Sequence, residues 1–305
     1  MFLLAEDRRW LEVRGGDVRE WLQRLLTSDT AAIEPGQGNW SALVNGRARW
    51  IADLLLYGLK DGIALDCPST ELTILQETLE ERHFREDAHW VAPEESSLLV
   101  LGPKAGAFLK GFGLDLPPSD FSLLESSELR LMTRPDRGAP CWECSGPPQR
   151  IQSLMTQLRE AGAILGSSQD LELLRIEGQR PKFGIDFDAE SILPESGEWQ
   201  RASLKKGCYP GQEVIAKVHN FGNAPRQLCQ LTFAEAVELT PQVPLQTLDQ
   251  AQAGTVSSWV LSPKHKTTVG FGVVRRKSLK EALFVTPVSG QKVSVQVSPL
   301  KQPLS

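Results

Sequence analysis

The sequence has little of what would narrow its chemistry at once. It holds four histidines, His83, His89, His219 and His265, and no two of them stand at a metal-ligand spacing. It has no Walker lysine loop, no dinucleotide fingerprint and no G-x-S-x-G elbow. The glycine groups "PGQG" at 35–38 and "GFG" at 111–113 and 270–272 therefore read as turns. A Ser-His-Asp triad assembled from distant positions stays open. Basic residues are not in excess: 33 Lys and Arg against 38 Asp and Glu give a net charge of −5 and a pI near 5.6. That balance excludes a chain built to coat nucleic acid, and no stable nucleic-acid binding is expected. No apolar run approaches the length that crosses a bilayer, so no membrane partner is expected. "MFLLAEDRRW" meets Glu6 and Asp7 too early for a signal peptide or a transit peptide. The expected localisation is cytoplasmic.

Cysteine is sparse and unpaired. Cys67, Cys141, Cys144, Cys208 and Cys229 are an odd number scattered over a long chain, which predicts five free thiols in a reducing compartment. Cys141 and Cys144 form "CWEC". A zinc site needs about four ligands and no second pair is near. The surroundings, "RPDRGAPCWECSGPP", are rich in turn formers and unlike a strand-to-helix redox motif. No metal is expected.

What the chain does have is 305 residues, 41% of them hydrophobic, enough for a substantial core and about two domains. "WLEVR" reads as a strand. Asp17 is the expected cap of a helix whose Val18, Trp21, Leu22, Leu25 and Leu26 share one face. Residues 39–68 read as three strands joined by turns at Asn45-Gly46 and at Lys60-Asp61-Gly62, followed by a helix capped by Ser69 or Thr70. A second strand-and-helix group covers about Ser97 to Leu165. From Pro225 onward short β-rich runs alternate with Gly, Pro and polar turns, the texture of a small barrel. The predicted class is α+β: residues 1–224 as two packed α+β subdomains, and residues 225–305 as a C-terminal antiparallel β-barrel.

Three features carry possible chemistry. In "LKKGCYPGQEVIAKVHNFG", Cys208 follows Lys205, Lys206 and Gly207. Pro210-Gly211 suits a type II turn, and a short helix from Gln212 and Glu213 to Val218 follows. Beside a helix N-terminus and two lysines the thiolate is favoured. The alternative is a solvated lysine pair with an inert cysteine in the turn. Asp53 lies inside the strand "RWIADLLLY", where an unpaired charge is costly. Glu177 is likewise an acid inside an apolar run, read as a strand; the alternative is an edge strand with Glu177 and Arg175 together on its solvent face. Two acids in apolar strands fit a polar heterocycle in an apolar slot.

Taken together, these stretches resemble one family. "KGCYPGQE" (Lys206, Gly207, Cys208, Tyr209, Pro210, Gly211, Gln212, Glu213) resembles the signature of the folate-binding YgfZ proteins, in the aminomethyltransferase superfamily. "LLTSDT" at 25–30, "NGRARWIADLLLY" at 45–57, "LRIEGQRPKFGID" at 174–186, "LPE" at 193–195 and "APRQL" at 224–228 agree in order and spacing. The resemblance implies a tetrahydrofolate site in a central cavity between the subdomains and the barrel. It implies that Asp53, eight residues after the matching Asn45, faces the reactive N5–N10 edge. It implies that Glu177 holds the pterin, and that Tyr209 and Arg226 belong to the site. Cys208, with Asp53, is the implied reactive group. Ala52 stands where the glycine-cleavage transferase usually has a second acid, which pushes toward the YgfZ branch. That branch implies an accessory role in iron–sulfur cluster assembly or repair, with iron–sulfur clients that include tRNA-modifying radical enzymes. A tetrahydrofolate-dependent aminomethyl or one-carbon transferase, and a folate-free scaffold, are the other readings.

Overall fold

The structure is a computed structural model that describes residues 2–5, 8–126, 128–222 and 224–300. The chain forms two compact units. The first comprises Met1–Val44, Ile51–Leu171 and Arg201–Pro210; the second comprises Asn45–Trp50, Glu172–Gln200 and Gly211–Ser305.

The first unit is built on two sheets. One has five strands in the order Gly38–Val44, Trp50–Leu59, Gly62–Pro68, Arg8–Arg14 and His89–Val91. Strand alternation gives it two different faces. Leu11, Val13, Ala52, Leu54 and Leu56 lie in one cluster with Val18, Trp21, Leu22 and Leu25 of the helix Val18–Leu25, and with Leu75 and Leu79 of the helix Leu72–Glu81. Trp10, Leu55, Tyr57, Leu59 and Ala64 lie in another, against Leu123 and Met132 of the second sheet. That sheet has six strands, and its far face packs Leu98, Val100 and Leu131 against Leu109, Ile151, Leu154 and Leu158 of two further helices. The first unit is thus helices, sheet, sheet and helices in layers, as expected where each sheet must bury both faces. Tyr57 ties the two sheets, its hydroxyl donating to the Thr133 carbonyl at 3.1 Å.

Two caps differ from the expectation. Ser69–Glu71 form a 3₁₀ turn instead of capping the next helix; Asp17 stands at the expected N-cap of Val18–Leu25, but its side chain accepts from the Asp87 N–H instead of from its own helix. Cys141 and Cys144 lie in the strand Cys141–Gly146, not in a turn. Residues three apart on a strand project to opposite faces, so they do not form a redox pair.

The second unit contains a closed barrel of six antiparallel strands, in the order Arg226–Phe233, Thr267–Arg275, Gln252–Ser262, Pro244–Gln246, Leu283–Val285 and Val293–Pro299. Leu231, Phe233, Leu245, Val256, Val274 and Val295 fill it. Closure removes the free strand edges that would otherwise invite pairing. The stretch holding Glu177 is not a strand: Ser168–Glu177 is a helix. Its start is a reciprocal cap, with the Ser167 N–H donating to Asp170 Oδ2 at 2.8 Å and the Asp170 N–H to Ser167 Oγ at 3.3 Å. Arg175 is buried, not on a solvent face, and pairs with Asp186 at 2.7 Å.

Candidate functional site

Asp53 points into the space between the two sheets of the first unit, on the same strand face as Leu55 and Tyr57. It is 8% exposed and stands among cations. Its Oδ1 lies 2.5 Å from Arg201 Nη1 and its Oδ2 lies 3.8 Å from Arg8 Nη1. The Arg201 contact lacks hydrogen-bond geometry, and Asp53 Oδ1 has no hydrogen-bond partner. Arg201 instead donates from Nη1 to the Ser41 and Leu54 carbonyls at 3.1 and 3.0 Å. Arg8 donates to both oxygens of Asp66 and to its carbonyl. Burial alone would lower the Arg8 pKa, but the carboxylates of Asp66 and Asp53 outweigh it and the pKa is raised. Behind Asp53, Glu71 Oε2 accepts the Asp53 backbone N–H at 2.6 Å. Burial, then the charge of Asp53, pushes the Glu71 pKa up to about 8.

The network continues to Arg134, a guanidinium with no solvent exposure paired with Asp66, Asp136 and Glu143. Sequence reasoning reached only Asp53 of this set. Arg8 carries a faint signal, since it alternates with Trp10 and Glu12 on one strand face. Glu71 and Arg201 carry none, because their partners are remote in sequence, and Arg134 carries only the nearby Asp136 and Glu143, in a stretch that reads as turns.

The octapeptide divides its residues by burial. Lys206 is half-buried and donates to the carbonyls of Leu26 at 2.6 Å and Ser28 at 2.8 Å, with its ammonium 5.0 Å from the centre of the Tyr209 ring. Burial pushes its pKa down to about 8. The ammonium is thus engaged by backbone, and exposed Lys205 carries the segment's other positive charge. Tyr209 is buried, its hydroxyl has no partner, and burial pushes its pKa up to about 12. Gly207 and Cys208 are exposed, and a side chain built on Gly207 would meet nothing within 4 Å. Gly211 is constrained. Its φ of 80° and ψ of −3° match the third position of a type II turn. A Cβ there would lie 2.8 Å from the Ala48 backbone and the Asn45 carbonyl. The helix that follows is Gln212–Phe221, with Glu213 in its first turn, where a negative charge is favourable.

Cys208 is the one exposed cysteine, and the other four are buried. Burial also pushes Cys67, Cys144 and Cys229 up to about 12. A disulfide reagent added to the folded chain at pH 7 is expected to consume one thiol quickly, and none in Cys208→Ser. Rapid loss of several thiols would contradict this burial pattern.

In the second unit, Glu177 Oε1 accepts from the Ser262 hydroxyl, and its other oxygen makes no hydrogen bond among the described residues. Asn45 Oδ1 accepts from the N–H groups of Arg47 and Arg49 at 2.9 and 3.2 Å, shaping the turn before the Asp53 strand. Arg226 donates to Glu195 at 3.0 Å and to the Glu190 carbonyl at 3.3 Å. It lies opposite Arg275 across the barrel ladder, and both line a polar cleft of about 370 Å³ with Asp186 and Ser257. Asn45, Glu177 and Arg226 therefore belong to one unit, and Asp53, Lys206, Cys208 and Tyr209 to the other. Among the described residues no group of three or more Cys, His, Asp or Glu could hold a metal ion, and no helix is long and apolar enough to cross a membrane.

Two sheets with outer helices, a closed six-stranded barrel and a buried strand aspartate define a protein of the aminomethyltransferase class of fold. Residues 8–198 match the family model described as the GCVT N-terminal domain, more than half of the chain, and the chain belongs to that family. It is 24% identical over 310 residues to a provisionally named chloroplastic transferase of Arabidopsis thaliana, covering 94% of this chain and 68% of that protein. It is 24% identical over 284 residues to the mitochondrial aminomethyltransferase of Flaveria trinervia, covering 87% and 69%. The crystal structure of glycine cleavage system aminomethyltransferase T from Bartonella henselae superposes with a TM-score of 0.90 at 21% identity, covering 98% of this chain and 85% of that one. That likeness establishes the fold.

Proposed function

We propose that this chain is a tetrahydrofolate-binding accessory protein of the YgfZ type, supporting iron–sulfur cluster assembly or repair. The observation that carries the folate half is the buried Asp53 carboxylate, whose Oδ2 faces Arg8 and whose Oδ1 touches Arg201 but accepts no hydrogen bond. Buried acceptors in folded proteins are nearly always satisfied, so an N–H of a bound heterocycle fits there. The unpartnered Tyr209 hydroxyl and the hydroxyls of Ser28 and Ser41, in the same unit, are further groups suited to a polar ligand. Tetrahydrofolate, when bound, supplies a reduced pterin whose N5–N10 edge carries one-carbon groups. In this reading Asp53 faces that edge while Arg8 and Arg201 fix its carboxylate. Glu177, whose second oxygen Ser262 leaves open, Asn45 and Arg226 are the folate-binding candidates of the second unit.

The accessory half rests on two residues. Ala52 stands where a second acid would precede Asp53, and Cys208 is an exposed thiol beside a positive exposed lysine. One thiol without companion ligands does not hold a cluster, since such sites use about four. Cys208 in this reading acts on a client as a nucleophilic or redox thiol instead of holding a cluster within this chain. The expected cellular result is that Cys208→Ser folds but does not restore function; full restoration removes the thiol from the account.

Titration with tetrahydrofolate tests the folate half. Saturable binding by wild type is expected, weakened at least about tenfold in Glu177→Ala through loss of a charge-assisted hydrogen bond. No binding by wild type, or unchanged affinity in the variant, overturns the assigned pocket. A second reading is an aminomethyl or one-carbon transferase, with Asp53 aiding proton movement. Turnover with an aminomethyl donor and tetrahydrofolate separates the two, because the accessory reading expects none.

A further inference from the structure

Among the described residues, the buried ion-pair network around Asp53, with Glu71 beside it, has more acids than cations. Five carboxyl groups, those of Asp53, Asp66, Glu71, Asp136 and Glu143, share four guanidinia, those of Arg8, Arg134, Arg137 and Arg201. Asp53 pairs with Arg8 and Arg201, Asp66 with Arg8 and Arg134, Asp136 with Arg134 and Arg137, and Glu143 with Arg134. Glu71 is 5% exposed, makes no ion pair among the described residues, and has one hydrogen bond, from the Asp53 N–H. A buried charge without a partner is costly, and the group neutralises instead. The acid left over is the one that keeps its proton.

We propose that Glu71 is the positioning acid of Asp53: it holds the strand at the Asp53 backbone N–H and stays uncharged, so that the two acids together carry one negative charge. The ligand consequence rests on the reading that Asp53 faces tetrahydrofolate. With Glu71 neutral, Arg8 and Arg201 serve Asp53 and hold its Oδ1, which accepts no hydrogen bond within the protein, in place for a donor. Once Glu71 ionises, it competes for the same two guanidinia and pulls them off Asp53. The groups that face Glu71 are Asp53 on the strand Trp50–Leu59, Arg8 on the strand Arg8–Arg14, Arg201 on the 3₁₀ turn Trp199–Arg201, and Cys67 on the strand Gly62–Pro68. Cys67, pushed up to about 12 by burial, stays neutral across the relevant range. Burial and the Asp53 charge put the Glu71 transition near pH 8, which agrees with the charge count.

The test compares wild type with Glu71→Gln, which keeps the shape and can accept the Asp53 N–H but cannot ionise. In the first arm, tetrahydrofolate is titrated from pH 6.5 to 9.5 under anaerobic conditions. Wild-type affinity is expected to fall about tenfold or more as pH passes about 8, while the variant matches wild type at pH 6.5 and stays flat. The second arm needs no ligand. A carboxyl whose folded pKa is raised retains a proton that the unfolded chain has lost, so stability falls with pH between the unfolded value near 4.5 and about 8. One proton changes the folding equilibrium by up to about tenfold per pH unit in that window. Urea denaturation at pH 5 to 8 is therefore expected to show Glu71→Gln gaining on wild type, and the two running parallel above about pH 8. A third readout uses wild type alone: the infrared band of a neutral carboxyl at pH 7, lost above pH 8. Parallel stability curves below pH 8, or no neutral-carboxyl band at pH 7, overturn the neutral acid. Ligand binding with the same pH profile in both chains overturns the positioning role. Failure of wild type to take tetrahydrofolate at any pH overturns the folate reading and its ligand consequence, and leaves the denaturation and infrared arms to decide Glu71.

Discussion

Asp53→Asn is expected to weaken tetrahydrofolate binding by about tenfold to a hundredfold and to destabilise the first unit as well. The affinity loss follows from replacing a charged acceptor with a neutral one, a difference of about 1.5–3 kcal/mol for hydrogen bonds to charged groups. The destabilisation has a separate origin. Arg8 and Arg201 have side chains only 8% and 4% exposed and would face each other's neighbourhood without the carboxylate that joins them. Breaking a buried pair by removing one partner costs about 3–5 kcal/mol. Asn keeps the volume, so packing does not explain the loss. Calorimetric titration reads the first effect and urea denaturation the second. A variant that binds as tightly as wild type would show that Asp53 does not face the ligand.

Arg134→Leu is expected to have the largest effect on folding. The guanidinium is fully buried and serves three carboxylates from three stretches of chain: Asp66 on the first sheet, Glu143 on the second, and Asp136 in the turn Pro135–Arg137 that follows Arg134. Leucine would leave those acids facing one another in a water-poor space, at a cost of at least about 3–5 kcal/mol. That is a large share of a net stability of about 5–15 kcal/mol. Lysine would not rescue it, because one ammonium cannot present the planar fork that three acids share. The measurement is the urea midpoint at pH 7, with soluble yield as the coarse readout. A shift worth under about 1 kcal/mol would contradict a structural role for the network.

The parts of this fold that obey a local period were legible in the sequence. The Val18 helix, the strands around Asn45-Gly46, and the barrel strands after Pro225 all follow 3.6- or 2-residue patterns with turn residues between. Asp53 stood out because an acid in an apolar strand breaks its pattern. Glu177 also stood out, but its element was misassigned. The apolar run around it is short enough to suit either a strand or a helix, and the deciding signal was the Ser167–Asp170 cap ten residues upstream. "CWEC" was misplaced for a related reason: Gly and Pro on both sides suggested a turn, while it pairs with Arg130–Thr133 on one side and, on the other, with a strand about 40 residues away.

The acid–cation network was not legible, and the cause is its range. Arg130 reaches Glu12 across 118 residues, and Arg201 reaches the Leu54 carbonyl across 147. No periodicity links such positions. A strand face carrying Arg8 and Glu12 has the composition of a solvated face. Only the second sheet, laid over it, makes these charges buried, and only their burial gives Glu71 a reason to keep its proton. In the octapeptide the sequence located the turn and the helix but could not divide the lysines. Lys206 lies against carbonyls contributed from about 180 residues upstream, while Lys205 faces water.

The central claim is that Asp53 Oδ1 is the open acceptor of a folate site. A crystal of the wild-type chain soaked with tetrahydrofolate tests it most directly. The account predicts pterin density with a ring or bridge nitrogen within about 2.7–3.2 Å of Asp53 Oδ1, the ordinary range for such a bond. Density elsewhere on the chain, or an Asp53 carboxylate satisfied by ordered water with no pterin near it at saturating ligand, would contradict it.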